Sequence, residues 1–247
     1  MILLLDVGNT RVKWAWLEYL EIAPAGAVAH DATRRSWQRE IEADGHRPSR
    51  IVVASVAGHA FAAALTLWSR DHYRVEPEFV TACAELCGVR NAYARPTTLG
   101  VDRWLALIAA WRSERRATVI VNSGTALAVD TLDRAGRHCG GLIVPGAQMM
   151  REARARFDGN AELLPAATLP GTPVPEALPD CVLLMLASLV DRSVEELRAQ
   201  VGVAPRVLLT GGDASLVEPY LRHGAELVPD LVLTGLAIVA TRGAADG

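Results

Sequence analysis

Hydrophobic positions follow two rhythms along this chain. Short apolar runs read as buried strands, and apolar residues spaced three and four apart read as helices. The runs predict strands at 2–7 and 11–18, at 50–56, from Phe79-Val80 onward, at 119–121, at 127–130, at 138–144 and at 206–210. Helices are predicted at 34–44, 57–70, 101–112, 149–156, 181–200, 214–222 and 231–243. On the second of these, Phe61, Leu65 and Trp68 share a face. On the third, Trp104, Leu107, Ile108 and Trp111 fall at i, i+3, i+4 and i+7 and form an apolar stripe. Pro96 breaks any helix in 91–98, and 164–179 carries five prolines and reads as a loop.

One pattern occurs twice. Leu3-Leu4-Leu5-Asp6-Val7-Gly8-Asn9-Thr10 leads into Arg11-Val12-Lys13-Trp14-Ala15-Trp16. Val119-Ile120-Val121-Asn122-Ser123-Gly124-Thr125-Ala126 leads into Leu127-Ala128-Val129-Asp130, 116 positions later. Each is a buried strand, a polar turn centred on Gly and a second strand. Gly lets backbone approach a ligand closely, and successive N–H groups can face an anion. The order strand, hairpin, strand, helix, strand, helix recurs in both halves. The expected class is therefore α/β with mixed sheets, as two related half-domains, 1–113 and 114–247, whose hairpins face a central cleft. The cleft's natural occupant is a nucleotide's phosphates.

Composition narrows the field. The 247 residues are 51% hydrophobic and 21% charged, enough for a sizeable core. A net charge of −3 gives no basic footprint for nucleic acid and no polybasic membrane anchor. The longest apolar runs, 181–190 and 231–240, are too short to span a bilayer. The chain opens on a strand with no basic segment before it, so no secretory signal and a cytoplasmic place are expected. Cys83 and Cys87 are spaced as on one helix face, and the four cysteines show no zinc spacing, so reduced thiols are expected. The six histidines form no ligand spacing and read as surface or structural. The six tryptophans read as core.

Two constellations carry chemistry. An Asp at the end of a buried strand is costly unless it is hydrogen-bonded or near a cation, and Mg²⁺ held through Asp6 and phosphate oxygens would supply one. Asn9 and Thr10 offer donors, and Lys13 can reach a phosphate as a point charge. The other reading of this turn is a type I′ hairpin with purely local hydrogen bonds. In Leu99-Gly100-Val101-Asp102-Arg103, a carboxylate at the positive end of a helix could accept a hydroxyl proton, with Arg103 holding a carboxylate or phosphate. Alternatively, Asp102 caps the helix. The chain lacks a G-x-x-x-x-G-K-[ST] loop, a protein-kinase signature and a G-x-G-x-x-G after the first strand.

The ordered set of Asp6-Val7-Gly8-Asn9-Thr10, Asn91-Ala92-Tyr93 with Pro96, Leu99–Arg103, Gly124-Thr125-Ala126, Gly140-Gly141 with Pro145-Gly146, Thr210-Gly211-Gly212-Asp213 and Asp230–Leu236 resembles the type III pantothenate kinase family. That family is a branch of the acetate and sugar kinase, Hsp70 and actin superfamily. The resemblance implies two duplicated ribonuclease-H-like (actin-like ATPase) half-domains. It also implies ATP-dependent phosphorylation of pantothenate at its 4′-hydroxyl, the first step towards coenzyme A. Asp102 would be the base. Tyr93, Gly100, Val101, Asp102 and Arg103 would bind pantothenate, with Val174 standing where the family has a contacting Thr and Thr172 two residues before it. Asp6, Val7, Gly8, Asn9, Thr10, Arg11, Val12, Lys13 and Thr125 would bind ATP, with Mg²⁺ near Asp6. The position that holds a monovalent cation, K⁺ or NH₄⁺, is Asn122 here rather than Asp. Ala128 replaces a frequent Thr, and Cys181 falls where Gly is common. The implied assembly is a homodimer, with no nucleic-acid or membrane partner. The alternative is a catalytically weak homologue with a regulatory or accessory role.

Overall fold

The computed structural model describes residues 1–29, 36–157 and 181–242. The expected loop at 164–179, with Thr172 and Val174, lies outside the described residues. The chain forms two compact units.

The first unit holds Met1–Arg115, Gly136–His138 and the C-terminal helix. Its strands are β1 (Ile2–Val7), β2 (Arg11–Glu18) and β3 (Glu21–Ala29). After helix α1 (Ser36–Ala43) come β4 (Arg50–Ser55), α2 (Gly58–Tyr73) and β5 (Pro77–Phe79). The two-residue strands β6 (Glu85–Leu86) and β7 (Val89–Arg90) pair with each other, and α3 (Val101–Ser113) follows. The sheet runs β3-β2-β1-β4-β5, with β1 antiparallel to β2 and parallel to β4. Phe79 ends β5 rather than beginning a strand. Cys83 lies outside helix and strand, and Cys87 in the turn between β6 and β7, so the two share no helix face.

The second unit holds Arg116–Ala135 and the described part of Cys139–Pro229. Its strands β8 (Thr118–Ser123), β9 (Ala126–Leu132) and β10 (His138–Pro145) precede α4 (Ala147–Phe157) and α5 (Cys181–Val201). Then come β11 (Arg206–Thr210), α6 (Ala214–Val217) and β12 (Glu226–Leu227). The expected helix at 214–222 is α6 continued by a single 3₁₀ turn at Glu218–Tyr220, because Pro219 cannot extend an α-helix. The sheet order β10-β9-β8-β11-β12 repeats that of the first unit, with β8 antiparallel to β9 and parallel to β11. The duplicated grammar of the sequence is thus a duplicated topology. The last helix, α7 (Leu231–Thr241), belongs to the first unit.

Strand alternation decides what each face covers. On β1, Leu3, Leu5 and Val7 pack with Val12, Trp14 and Trp16 of β2 against Trp37 and Ile41 of α1 and Leu65 and Trp68 of α2. Leu4, with Ala15 and Leu17, faces the other way, against Val101 and Leu105 of α3 and Val232, Leu233 and Leu236 of α7. The first sheet is therefore sandwiched between two helix pairs. In the second unit, Val119, Val121, Leu127 and Val129 pack on α5 through Val182, Leu186, Val190 and Val194. All six tryptophans are buried, as core residues.

Candidate functional site

Asp6 shares its side of β1 with Leu4, the side that α3 and α7 cover. Lys13 stands directly opposite Asp6 across the β1–β2 ladder. Both covering helices present their N-termini here, α3 with Asp102 in its first turn and α7 with Asp230 at its N-cap. Gly235 lets the helices meet closely: a Cβ there would lie 2.1 Å from the Leu105 carbonyl oxygen.

The electrostatics follow from this convergence. Burial, with the charge of Asp102 next in weight, pushes the Asp6 carboxyl from 3.8 up to about 7. Lys13 pulls it down and Asp230 adds to the rise. Lys13 Nζ lies 3.5 Å from Asp230 Oδ1. The N-cap of α3 is Gly100, with Asp102 in the first turn, and the Asp230 carboxylate makes no capping hydrogen bond. Asp102 instead folds back over Gly100, whose added Cβ would sit 2.6 Å from Asp102 Oδ1. Glycine at 100 is thus what gives this carboxylate its place. Asp102 is thus in the first turn of α3 and is not its N-cap residue.

Among the described residues no three His, Cys, Asp or Glu are grouped to hold a metal ion by themselves. That donor set still fits Mg²⁺, which binds through one or two carboxylates plus substrate phosphates and water. Asp6, crowded by two further acids, is the carboxylate with most to gain from such a cation.

The turn after Asp6 is tight, Gly8 N–H donating to the Arg11 carbonyl at 3.0 Å. Gly8, Asn9 and Thr10 all keep negative φ, so the turn is not type I′, which needs positive φ at both central positions. A Cβ on Gly8 would meet only ordinary contact at 3.5 Å. Neither backbone angle nor crowding within the protein demands glycine there, which leaves room for a ligand. Val7 and Val12 are core residues, so only their backbone is available to one. Arg11, Asn9 and Thr10 are exposed.

Tyr93 and Arg103 form a second group in the same unit. The buried Arg103 donates from Nη1 to Tyr93 Oη at 3.1 Å. Tyr93 N–H donates to Asn91 Oδ1 at 3.0 Å, and Asn91 Nδ2 donates to the Pro96 carbonyl at 3.2 Å. Val101 is buried against α7.

In the second unit, Asn122 holds the place on β8 that Asp6 holds on β1, each the fifth residue of its strand. The turn beyond it is framed by two glycines. A Cβ on Gly146 would lie 2.0 Å from the Gly124 carbonyl oxygen, and one on Gly211, at φ +99°, 2.1 Å from that of Ser123 and 2.7 Å from Asn122 Oδ1. Gly124 itself has open space around it, and Thr125 is exposed. Three sequence motifs far apart in the chain therefore meet at one turn.

Asp230 was not legible as a site residue, since an Asp ahead of an apolar helix reads as a cap. His138, read as surface or structural, is buried beside Tyr93.

Residues 2–196 match a family described as type III pantothenate kinase. A type III pantothenate kinase of Nitrosococcus oceani is 37% identical, over 97% of this chain and 94% of the relative. One of Aromatoleum aromaticum is 38% identical, over 99% and 100%. Among solved structures, the activator of the 2-hydroxyisocaproyl-CoA dehydratase from Clostridium difficile, with bound ADPNP, superposes with a TM-score of 0.54. It is 13% identical and covers 98% of this chain and 94% of its own, a likeness of fold.

Proposed function

Because the chain belongs to the type III pantothenate kinase family, it phosphorylates pantothenate at the 4′-hydroxyl at the expense of ATP, and we propose that Asp102 is the base of that reaction. Phosphoryl transfer asks a protein for positioning and charge stabilisation more than for covalent chemistry. The observation that carries the assignment is the seating of Asp102 over Gly100 at a helix N-terminus, a fixed acceptor beside a carboxylate–lysine pair. There it takes the proton of the attacking hydroxyl.

The remaining roles are assigned on the same reading. Arg103 and Tyr93, with Gly100 and Val101, hold pantothenate, the guanidinium facing its carboxylate. Lys13, the Gly8–Thr10 turn and the backbone of Val7, Arg11 and Val12 receive the ATP phosphates. Thr125 of the second unit is likewise assigned to phosphate. Asp6 holds Mg²⁺, which when bound neutralises phosphate charge. Asn122 occupies the monovalent-cation position with a neutral oxygen, so K⁺ or NH₄⁺ contributes little. The enzyme works in the cytoplasm as a homodimer, without nucleic acid or membrane. No helix among the described residues is long and apolar enough to cross a bilayer.

The deciding experiment is ADP release with ATP and Mg²⁺, measured with pantothenate and with a panel of other small alcohols. Turnover that requires pantothenate is expected. Binding of pantothenate without turnover would instead favour the regulatory homologue, and turnover with another alcohol a different substrate.

A further inference from the structure

We propose that His138 is a positioning residue for pantothenate, acting through the plane of the Tyr93 ring. This rests on the reading that Tyr93 and Arg103 hold that substrate.

Tyr93 is gripped at three points. Its backbone is fixed by the Asn91 side chain, and its hydroxyl by Arg103. Neither contact fixes the ring plane. The hydroxyl oxygen lies on the axis about which the ring turns, so rotation of χ2 leaves the Arg103 hydrogen bond intact. That torsion is broad in aromatic side chains and needs a face contact to define it. His138 supplies the face. Its ring lies 5.9 Å from that of Tyr93 and within 7° of parallel. The Arg103 guanidinium stands 5.9 Å from the centre of the same ring, so its cation–π contact also depends on the ring's plane.

The imidazole is itself held firmly. It is only 4% exposed. The segment that delivers it is tied to β7: Arg90 N–H donates to the Gly136 carbonyl at 3.0 Å, and Arg90 and Arg137 form a parallel bridge. Gly136, at φ +75°, fits so tightly that a Cβ would lie 2.4 Å from the Gly88 carbonyl oxygen. A rigid turn therefore sets the imidazole, the imidazole sets the phenol, and the phenol sets the guanidinium.

The test is steady-state kinetics of the full chain with His138→Ala and His138→Phe, alongside thermal melting. Loss of an aromatic pair is expected to raise the pantothenate KM of His138→Ala by about two- to tenfold. The ATP KM and kcat should hold, and His138→Phe, which keeps a flat face, should restore the pantothenate KM. An unchanged pantothenate KM, an equal rise in the ATP KM, or a Phe variant as impaired as Ala overturns the proposal. If His138→Ala does not fold, His138→Leu, which fills the space without a flat face, carries the same expectations. Wild-type protein without pantothenate-dependent turnover would overturn the underlying functional reading. A wild type that turns over while the variants fail the pattern above would overturn the role of His138 alone.

Discussion

Lys13 on β2 and Asp230 at the head of α7 are ion-paired, Nζ to Oδ1 at 3.5 Å. The pair occupies the cation that the proposed phosphate site needs. An incoming triphosphate must therefore compete with a carboxylate already in place. The partners are about a third exposed, 28% and 36%, which puts the pair in the class of modest surface bridges. Asp230→Asn should release Lys13 from this one carboxylate and remove one negative charge. The ATP KM should fall, by about fivefold at most, with the pantothenate KM unchanged. A raised ATP KM would mean that Asp230 aligns Lys13 instead of competing for it.

Asp102 and Gly100 make a second prediction. Asp102→Asn keeps the shape and removes the proton acceptor, so kcat should fall by about 10²–10⁴-fold with little change in melting temperature. Gly100→Ala leaves the carboxylate in the protein but puts a methyl 2.6 Å from Asp102 Oδ1, closer than the two can sit, so the carboxylate must shift. Displacing a reacting group by an ångström costs about 10²-fold in rate, so the alanine variant should lose kcat too. Near-wild-type turnover in both variants would remove Asp102 from the chemistry.

The first β-hairpin and the buried α3 were readable from the sequence because hydrophobic period alone specifies them. β3 was not. Pro24 and Gly26 interrupt its pattern, yet β3 is the edge of its sheet, where proline costs no ladder bond. Gly26 is required by Trp14: a Cβ there would sit 2.3 Å from the indole. That constraint acts across strands and leaves no local trace. The strands β6, β7 and β12, two residues each, are too short to show a period. At the site, the motifs named Asp6, Lys13 and Asp102. The place of Asp230 among them depends on how α7 packs on α3, through Gly235 and Leu105, and no spacing in the sequence encodes it.

The raised pKa of Asp6 gives stability a definite pH dependence in protein free of nucleotide and Mg²⁺. Between 3.8 and about 7 the folded state holds a proton that the unfolded chain has released. The stabilisation is complete at the acid end and is lost as pH rises through about 7. Asp6→Asn lacks this loss. Its stability relative to wild type should climb by a few kcal/mol across that window and then level off. Urea melts of both proteins over the pH series check it. A difference that stays flat would mean that Asp6 is not crowded by burial and Asp102 as the structure has it.

Asn122 allows the cation question to be posed within one chain. The two sheets repeat each other, and the fifth residue of the leading strand is an acid in one and an amide in the other. An amide oxygen can ligate a monovalent cation but adds no charge to hold it, so wild-type kcat/KM should vary little over a KCl series at constant ionic strength. Asn122→Asp keeps the shape and adds the charge beside Gly211. It should make turnover rise with K⁺, several-fold at saturation, and fall below wild type without it, because an uncompensated carboxylate then faces the glycine turn. Steep K⁺ dependence in the wild type would show that the neutral oxygen suffices for the site. No dependence in either protein would show that the cation position does not operate in this chain.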